Sequence, residues 1–304
     1  MPGSELSKPD LFTIGALFGQ SPKGRALAGA LAPSLDRVLA IDQVRSIYEG
    51  LDPDKSRSFC ERALASLRIT PTFSQEDLDR IPRTGPVIIA ANHPLGALDG
   101  LLLLHLARSA RQDVKLLANR FLSAIPDLAP DILEVDVFTP GATTNLHAVR
   151  HAMRWLKSGG CVATFPAGEV SRLHFLDGEV SDGPWSASVA MMARVTGASV
   201  VPVCFEARNS WVFQTLGLVH PLLRTCLLPR EMLRKRGSTI AVHTGAKIEP
   251  SWIASFPSDT DAAAHLRART YLLSGRATES KVPAPQLPVA PGVDPAALQA
   301  EVHA

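Results

Sequence analysis

The sequence predicts an α/β fold in which a mainly parallel, mixed sheet is flanked by helices. Apolar runs of strand length alternate with longer segments of helical spacing between residues 87 and 205. Alternation of this kind places helices on both faces of a parallel sheet. The 304-residue chain is 46% hydrophobic, which is enough apolar material for one core of this class.

The elements are expected in the following order. Helical spacing of apolar residues between positions 35 and 67 predicts N-terminal helices. Ser74 is a predicted N-cap with Asp77 three residues later, so a short helix should begin there. The alternating part should then contain strands over 87–91, 114–118, 161–165 and 199–205, and helices over 101–108, 144–157 and 185–196.

Charge and cysteine usage exclude several classes of protein. A net charge of +2 is too small to indicate a nucleic-acid partner. The four cysteines are widely spaced and form no Cys-x-x-Cys pair, so we expect reduced core residues and no metal site. No segment has the pattern of a signal peptide, and the longest apolar runs are shorter than the ~20 residues that span a bilayer. These observations predict a cytoplasmic protein.

A histidine and an aspartate flank a short loop after the first apolar run. The run ends just before His93, and Asp99 follows after five intervening residues. On a continuous helix this separation would put the two side chains on different faces. Pro94 and Gly96 instead allow a tight loop in which the two can meet. Because a carboxylate can orient the ring, His93 is a candidate general base and Asp99 its partner. An incidental histidine in a turn is the alternative.

A second loop, Phe165-Pro166-Ala167-Gly168-Glu169-Val170-Ser171-Arg172, follows a later predicted strand. The guanidinium of Arg172 suits a phosphate or a carboxylate, and so does that of Arg208, which follows another strand. A surface ion pair, for example with Glu169 or Asp182, is the alternative for these arginines. Gly168 allows a substrate to approach the backbone closely, although a simple turn would also use it.

Both loops resemble motifs of the glycerolipid acyltransferases related to lysophosphatidic acid acyltransferase. Residues 92–100, Asn-His-Pro-Leu-Gly-Ala-Leu-Asp-Gly, are similar to the first motif, although most members have one residue fewer between His and Asp. The longer spacing resembles a subgroup labelled hemolysin, which includes acyltransferases of bacterial aminolipids such as ornithine and glycine lipids. Residues 165–168 are similar to a later motif that usually reads Phe-Pro-Glu-Gly. Here Ala167 replaces the Glu, and Glu169 follows the Gly.

Further matches to the subgroup occur in the same order along the chain, so that the resemblance covers about residues 35–250. It implies that His93 is the general base, that Asp99 orients it, and that the two loops bind substrate. The expected substrate-binding residues are Asn92, Gly96, Phe165, Pro166, Gly168, Glu169, Arg172 and Arg208. The implied acyl donor is acyl-CoA or an acyl-carrier protein (acyl-ACP), with no further cofactor and no metal.

Three parts of the chain are expected from composition and resemblance together. Residues 1–34 should be an apolar, helical segment close to the membrane, and residues 35–276 the acyltransferase domain. Residues 277–304 are rich in Pro and Ala, which disfavours regular structure, so an extended, disordered tail is expected there.

Membrane contact is expected at two places. Residues 11–18 are apolar, and residues 222–236 mix basic side chains with Leu and Met. Basic residues beside exposed apolar ones bind the anionic leaflet of a membrane. The alternative for residues 222–236 is an ordinary amphipathic helix that packs on the core.

We therefore expect a peripheral acyltransferase on the inner face of the cell membrane. It should move a fatty acyl group from acyl-ACP or acyl-CoA to the hydroxyl of a single-chain lipid, either a lyso-aminolipid or a lysophospholipid. Ser171 does not lie in a Gly-x-Ser-x-Gly elbow, so direct transfer without a covalent intermediate is expected. The alternatives are hydrolysis of a thioester or ester, and a lipid-binding protein without enzymatic activity.

Overall fold

The computed structural model describes residues 39–123, 125–136, 143–174 and 178–274. The expected membrane-proximal segment at 1–34, including the apolar residues 11–18, and the expected tail at 277–304 lie outside these residues. The described part confirms the α/β fold class, with a mainly parallel sheet between helices.

The main sheet has seven strands in the order β1-β9-β8-β2-β5-β3-β4. All neighbours are parallel except β8 and β9, so β9 and its parallel partner β1 run against the rest of the sheet. A separate hairpin joins β6 to β7. The strands are β1 Thr70–Thr72, β2 Val87–Ala91, β3 Val114–Asn119, β4 Ile132–Val135, β5 Cys161–Thr164, β6 Arg172–Leu173, β7 Val180–Ser181, β8 Ser199–Glu206 and β9 Thr239–Thr244.

Helices of very different length connect these strands. They are α1 Ile41–Glu49, α2 Phe59–Ser66, α3 Gln75–Asp79, α4 Ala97–Ala110, α5 Arg120–Ser123, α6 Thr143–Lys157, α7 Ser188–Thr196, α8 Trp211–Val219, α9 Pro221–Arg234, α10 Pro250–Ala254 and α11 Asp259–Leu272. The first two are the N-terminal helices that the apolar spacing predicts. Ser74 caps α3 as expected, because its hydroxyl accepts the N–H of Asp77 while the Asp77 carboxylate accepts the N–H of Ser74.

The central strand β2 is buried on both faces, and its alternate residues belong to two apolar layers. Ile89 packs with the leucines of α4, whereas Ile88 packs with residues of α6, α7 and α11. A strand covered on both sides reads as a continuous apolar run, which is why the sequence shows it clearly. Because β2 is parallel to both β5 and β8, the carboxyl ends of these three strands meet at one edge of the sheet.

Several element boundaries differ from the expectation for local reasons. The helix expected at 101–108 begins earlier, at Ala97, because Gly96 adopts a φ of 81° and Asp99 accepts its N–H. The helix expected at 185–196 begins at Ser188, after Trp185 has turned inward to a buried position. The short strands β1, β4, β6 and β7 were not expected. Strand β9 was not expected either, although its burial alternates along the chain as in a strand with one face on the core.

All four cysteines are free and buried, as expected. Burial raises the pKa of the Cys60 and Cys161 thiols to about 12, so neither is a thiolate at neutral pH. Within residues 39–274, apart from the undescribed gaps, no helix combines the length and the apolar character that crossing a bilayer requires.

Candidate active site

The two loops of interest lie side by side at the carboxyl edge of the sheet. Strands β2 and β5 are parallel neighbours; His93 follows the first and Phe165 follows the second. The imidazole of His93 stacks on the Phe165 ring, with 4.2 Å between ring centroids and 21° between planes. Loops at this edge are where α/β folds bind their ligands. The structure thus brings together two of the expected site residues from separate motifs.

His93 and Asp99 are in direct contact. The Nδ1 atom of His93 lies 2.9 Å from Oδ2 of Asp99, and the imidazole side chain is 17% exposed. No hydrogen bond joins the other ring nitrogen, Nε2, to the residues described. When Nδ1 carries the proton and donates to the carboxylate, Nε2 has a free lone pair. This arrangement can accept a proton from a hydroxyl group that reaches the ring.

The backbone of the intervening loop positions Asp99. Its Oδ2 atom also accepts the N–H groups of Leu95, at 2.7 Å, and Gly96, at 3.0 Å. The positive φ of Gly96 turns the chain so that both groups face the carboxylate. Asp99 is fully buried, and this burial raises its pKa, while the hydrogen bond from His93 acts in the opposite direction. Gly96 therefore determines the geometry of the contact between His93 and Asp99. A Cβ atom at position 96 would lie 2.8 Å from the Leu228 side chain.

A second buried carboxylate, Asp182, holds the backbone of the histidine loop. Its Oδ1 atom accepts the His93 N–H at 3.1 Å and the Ser171 hydroxyl at 2.6 Å, and its Oδ2 accepts the indole N–H of Trp185 at 2.9 Å. Ser171 in turn donates its N–H to the His93 carbonyl at 2.8 Å. The hydroxyl of Ser171 is thus occupied by its hydrogen bond to Asp182. The Asp182 N–H donates to the Tyr271 hydroxyl at 2.7 Å, so α11 also reaches the site.

Sequence reasoning missed this role of Asp182. The available signal was its position in Ser-Asp-Gly-Pro-Trp at residues 181–185, one of the segments that carry the family resemblance. An aspartate in a loop is ordinarily solvated, and only the fold shows that Asp182 has no exposed surface.

Asn92, which is expected to bind substrate, joins β2 to β8. Its amide oxygen accepts the Phe205 N–H at 2.7 Å, and its amide nitrogen donates to the Phe205 carbonyl at 3.1 Å. Asn92 is also almost completely buried. The two bonds extend the pairing of the strands past the end of β2, so in the structure this side chain positions the residue that follows it.

The charged residues of the second loop form an ion-pair cluster. Glu169 Oε2 accepts a hydrogen bond from Nη2 of Arg224 at 2.7 Å, and Oε1 lies 3.7 Å from Nε of Arg172. The side chain of Arg224 is 8% exposed, whereas that of Arg172 is 49% exposed. The expected alternative, an ion pair between Arg172 and Glu169, is present as this longer contact. One carboxylate between two guanidinium groups leaves a net positive charge.

The remaining expected site residues have structural surroundings that differ from one another. Gly168 has a φ of 68° in a turn where its N–H donates to the Phe165 carbonyl, and the space that a Cβ atom would occupy is open. The Pro166 carbonyl accepts the Ser186 N–H at 2.9 Å. Arg208 is exposed and lies over the Trp211 ring, 5.9 Å from its centroid. In the described part of the chain, no ion pair directs its guanidinium toward the histidine loop.

Fold and site together define an α/β enzyme with a histidine held by a buried aspartate at the carboxyl edge of a parallel sheet. The family model described as "Acyltransferase" matches residues 22–278, and the chain belongs to this acyltransferase family. The match spans the whole sheet and both loops of the candidate site.

Two curated relatives are similar to this chain. Lyso-glycine lipid O-acyltransferase of Phocaeicola vulgatus is 29% identical over 178 residues, which are 56% of this chain and 62% of the relative. The protein of the same name from Bacteroides thetaiotaomicron is also 29% identical, with 64% of its length covered. The similar region thus spans less than two thirds of each relative.

One solved structure is similar to this chain. It is the 1-acyl-sn-glycerophosphate acyltransferase PlsC from Thermotoga maritima, with 18% sequence identity and a TM-score of 0.45. The alignment covers 82% of this chain and 84% of that one.

Proposed function

We propose that the protein transfers a fatty acyl group from a thioester to the hydroxyl of a single-chain lipid. The observation that carries the proposal is the contact between His93 Nδ1 and the buried Asp99, which leaves Nε2 able to accept a proton. Membership of the acyltransferase family supports the acyl group as the one transferred. The donor is acyl-ACP or acyl-CoA, as the family resemblance implies.

The proposed reaction is a direct transfer. As the lipid hydroxyl oxygen attacks the thioester carbonyl, its proton passes to His93 Nε2, and Asp99 stabilises the imidazolium that forms. The carbon–sulfur bond then breaks, and the thiol of the donor leaves with the proton from His93. The products are an ester and a free thiol. The buried Ser171 hydroxyl donates to Asp182, which argues against a covalent intermediate on this serine.

The proposed acceptor is a lyso-aminolipid. The two curated relatives are named for a lyso-glycine lipid, and the spacing of His93 and Asp99 resembles the aminolipid subgroup. A lysophospholipid is the other acceptor class that the family resemblance implies. Both offer a hydroxyl group on a molecule with one long chain.

We further propose that the protein binds the inner face of the cell membrane without spanning it. The helix α8 exposes Trp211, Val212, Leu218 and Val219, each at least half exposed. These positions recur at helical spacing on one face, and Arg208 lies beside them. An exposed apolar face with neighbouring basic residues suits an anionic leaflet.

Only part of the expected basic segment at 222–236 is available for this contact. Arg224 is buried against Glu169, and the Lys235 ammonium donates to the Arg208 carbonyl at 2.7 Å. Arg234 and Arg236 are exposed. Met232 and Leu233 pack against the core, as expected for the amphipathic-helix alternative. The proposed membrane surface therefore combines the exposed face of α8 with the two arginines at the end of α9.

One experiment separates the proposed function from its alternatives. Purified protein is mixed with a radiolabelled acyl-ACP or acyl-CoA and a panel of single-chain lipids that includes lyso-glycine lipid, lyso-ornithine lipid and lysophosphatidic acid. We expect a labelled two-chain lipid. Labelled free fatty acid without that product would instead indicate a hydrolase. Lipid binding without turnover of either donor would indicate a binding protein, and His93→Ala serves as the inactive control.

A further inference from the structure

A pocket of about 320 Å³ lies next to the second loop, between strand β6 and helix α8. Its lining consists of Arg172, Leu173, His174, Gln214, Gly217 and Leu218, none of which is acidic. Ser171, the residue before β6, donates its N–H to the His93 carbonyl. With about 3.8 Å between consecutive Cα atoms, the β6 wall therefore begins within a few ångströms of the histidine loop.

Gln214 is the unusual member of this lining. It is only 3% exposed, and its amide oxygen accepts the Leu173 N–H at 3.0 Å. Because an N–H group must face an oxygen, this bond fixes which end of the amide is the nitrogen. The Nε2 atom is buried and has no hydrogen-bond partner among the residues described. Burial of an amide N–H₂ group without a hydrogen-bond partner is unfavourable, so a ligand oxygen that accepts from it would remove this cost.

The charge around the pocket indicates what kind of ligand would bind. Arg172 is half exposed at the pocket, and Glu169 behind it is shared between Arg172 and the buried Arg224. One carboxylate neutralises one of the two guanidinium groups, so these three side chains together carry a single positive charge. A carboxylate carries one negative charge and two acceptor oxygens, which matches one guanidinium and one amide donor. A phosphate monoester, with close to two negative charges, would leave part of its charge without a counterpart.

We infer that this pocket binds the carboxylate of the lipid acceptor, with Gln214 Nε2 and the Arg172 guanidinium as donors. The inference rests on the proposed function, because it assigns the headgroup of the acceptor in that reaction. Leu218 belongs both to the pocket lining and to the exposed apolar face of α8. A lipid in a bilayer against α8 could thus place its headgroup in the pocket while its chain stays in the membrane.

The test compares two acceptors that differ only in the headgroup: lyso-glycine lipid with a free carboxylate, and its methyl ester. For each we would measure transfer kinetics with the full chain and, without any donor, binding in detergent micelles by calorimetry. The unaltered protein should prefer the free acid by about 10- to 100-fold in kcat/KM and in affinity, as expected for a charge-assisted hydrogen bond.

Gln214→Glu is the most specific variant. Glutamate keeps the oxygen that accepts the Leu173 N–H and replaces only the N–H₂ group with an oxygen, which repels a carboxylate. The preference for the free acid should disappear, through KM rather than kcat. Gln112→Glu, an exposed position with the same chemical change, should retain the preference. If Gln214→Glu fails to fold, Arg172→Gln on the exposed arginine should reduce the same ratio.

The possible results distinguish the two proposals. Transfer to both acceptors at equal rates, or a preference that survives in both pocket variants, would overturn the pocket inference and leave the proposed function intact. Preferred use of lysophosphatidic acid over the free acid would also overturn it. Binding of the free acid that depends on Gln214, without transfer to any lipid, would support the pocket and contradict the proposed function.

Discussion

The carboxylate of Asp182 accepts the backbone N–H of His93 at 3.1 Å, although 88 residues lie between them in the chain. The same carboxylate accepts the Ser171 hydroxyl and the Trp185 indole N–H. Asp182 therefore determines where the backbone of His93 sits, whereas Asp99 determines how its ring is oriented. One carboxylate thus contacts the backbone of this histidine, and a different carboxylate contacts its ring.

The first prediction concerns this backbone contact. In Asp182→Asn one carboxylate oxygen becomes an N–H₂ group that faces an existing donor, so a buried donor loses its acceptor. We expect the free energy of unfolding to fall by about 1–3 kcal/mol and kcat of the folded enzyme to fall as well. Asp77→Asn is a matched control, because Asp77 also accepts three donors, from Ser74 and Thr244, away from the site. The control should lose stability with little change in kcat; an equal loss of kcat in both variants would contradict a positioning role for Asp182.

The second prediction concerns the general base. His93→Ala removes the only proposed proton acceptor, so acyl transfer should fall by about 10²- to 10⁴-fold. His151→Ala, an exposed histidine of α6, should retain full activity. Circular dichroism would verify that both variants fold. Transfer at the normal rate by His93→Ala would refute the mechanism.

The third prediction concerns the orientation of the ring. Asp99→Asn retains an acceptor for the backbone N–H groups of the loop but removes the charge that stabilises the imidazolium. We expect kcat to fall by roughly 10- to 100-fold while KM for the lipid changes little. Asp54→Asn, at an exposed loop position, provides the comparison. A change confined to KM would instead place Asp99 in substrate binding.

The fourth prediction concerns Arg172. If its guanidinium binds an anionic group of donor or acceptor, Arg172→Ala should raise the corresponding KM by an amount equivalent to about 1.5–3 kcal/mol. Steady-state kinetics with each substrate varied in turn would show which one is affected. The exposed Arg57→Ala, in the loop before α2, should have no effect. Unchanged KM values for both substrates would transfer the anion-binding role to Arg208.

The fifth prediction concerns the membrane surface. Arg234→Gln combined with Arg236→Gln should weaken binding to anionic vesicles by roughly tenfold or more, since each basic residue contributes about 1 kcal/mol. Binding should also weaken as salt reduces the Debye length from about 10 Å at 0.1 M to about 3 Å at 1 M. Activity on detergent-dispersed substrate should persist.

The control for this measurement removes the same charge elsewhere. Arg154→Gln with Lys157→Gln acts on α6, which packs on the opposite face of the sheet. On α8, Val212→Asp with Val219→Asp tests the apolar contribution and should reduce binding to neutral vesicles as well. Sedimentation with vesicles gives the partition in each case. Equal binding of all variants would exclude this surface as the contact.

Local patterns predicted four strands of the main sheet, β2, β3, β5 and β8, and the contact between His93 and Asp99. Strand β2 has the expected bounds because a buried strand is a continuous apolar run, and the loop after it contains the Pro and Gly that a tight turn needs. The roles of Asn92 and Asp182 could not be predicted in this way. Their partners, Phe205 and His93, are distant in sequence, and nothing near either residue specifies them.

Distant partners also explain why two basic residues, one in α9 and one just after it, are not the surface charges that the sequence suggests. Arg224 and Lys235 are basic residues in an amphipathic pattern, which is ordinarily exposed. Glu169 pairs with the first, and the Arg208 carbonyl accepts from the second, so neither is a freely solvated charge. Burial lowers the pKa of Lys235, as expected for an ammonium group partly withdrawn from water.

The bond between the Tyr271 hydroxyl and the Asp182 N–H has a consequence for biosynthesis. Chains emerge from the ribosome with the N-terminus first, at about 5–20 residues per second. His93 and Asp99 are therefore made many seconds before Tyr271, whose helix completes the support of their loop. A nascent chain that has not yet reached α11 contains His93 and Asp99 but lacks the Tyr271 hydroxyl that accepts the Asp182 N–H. The hydrogen bonds that support the His93 loop are thus complete only after α11 has been synthesised.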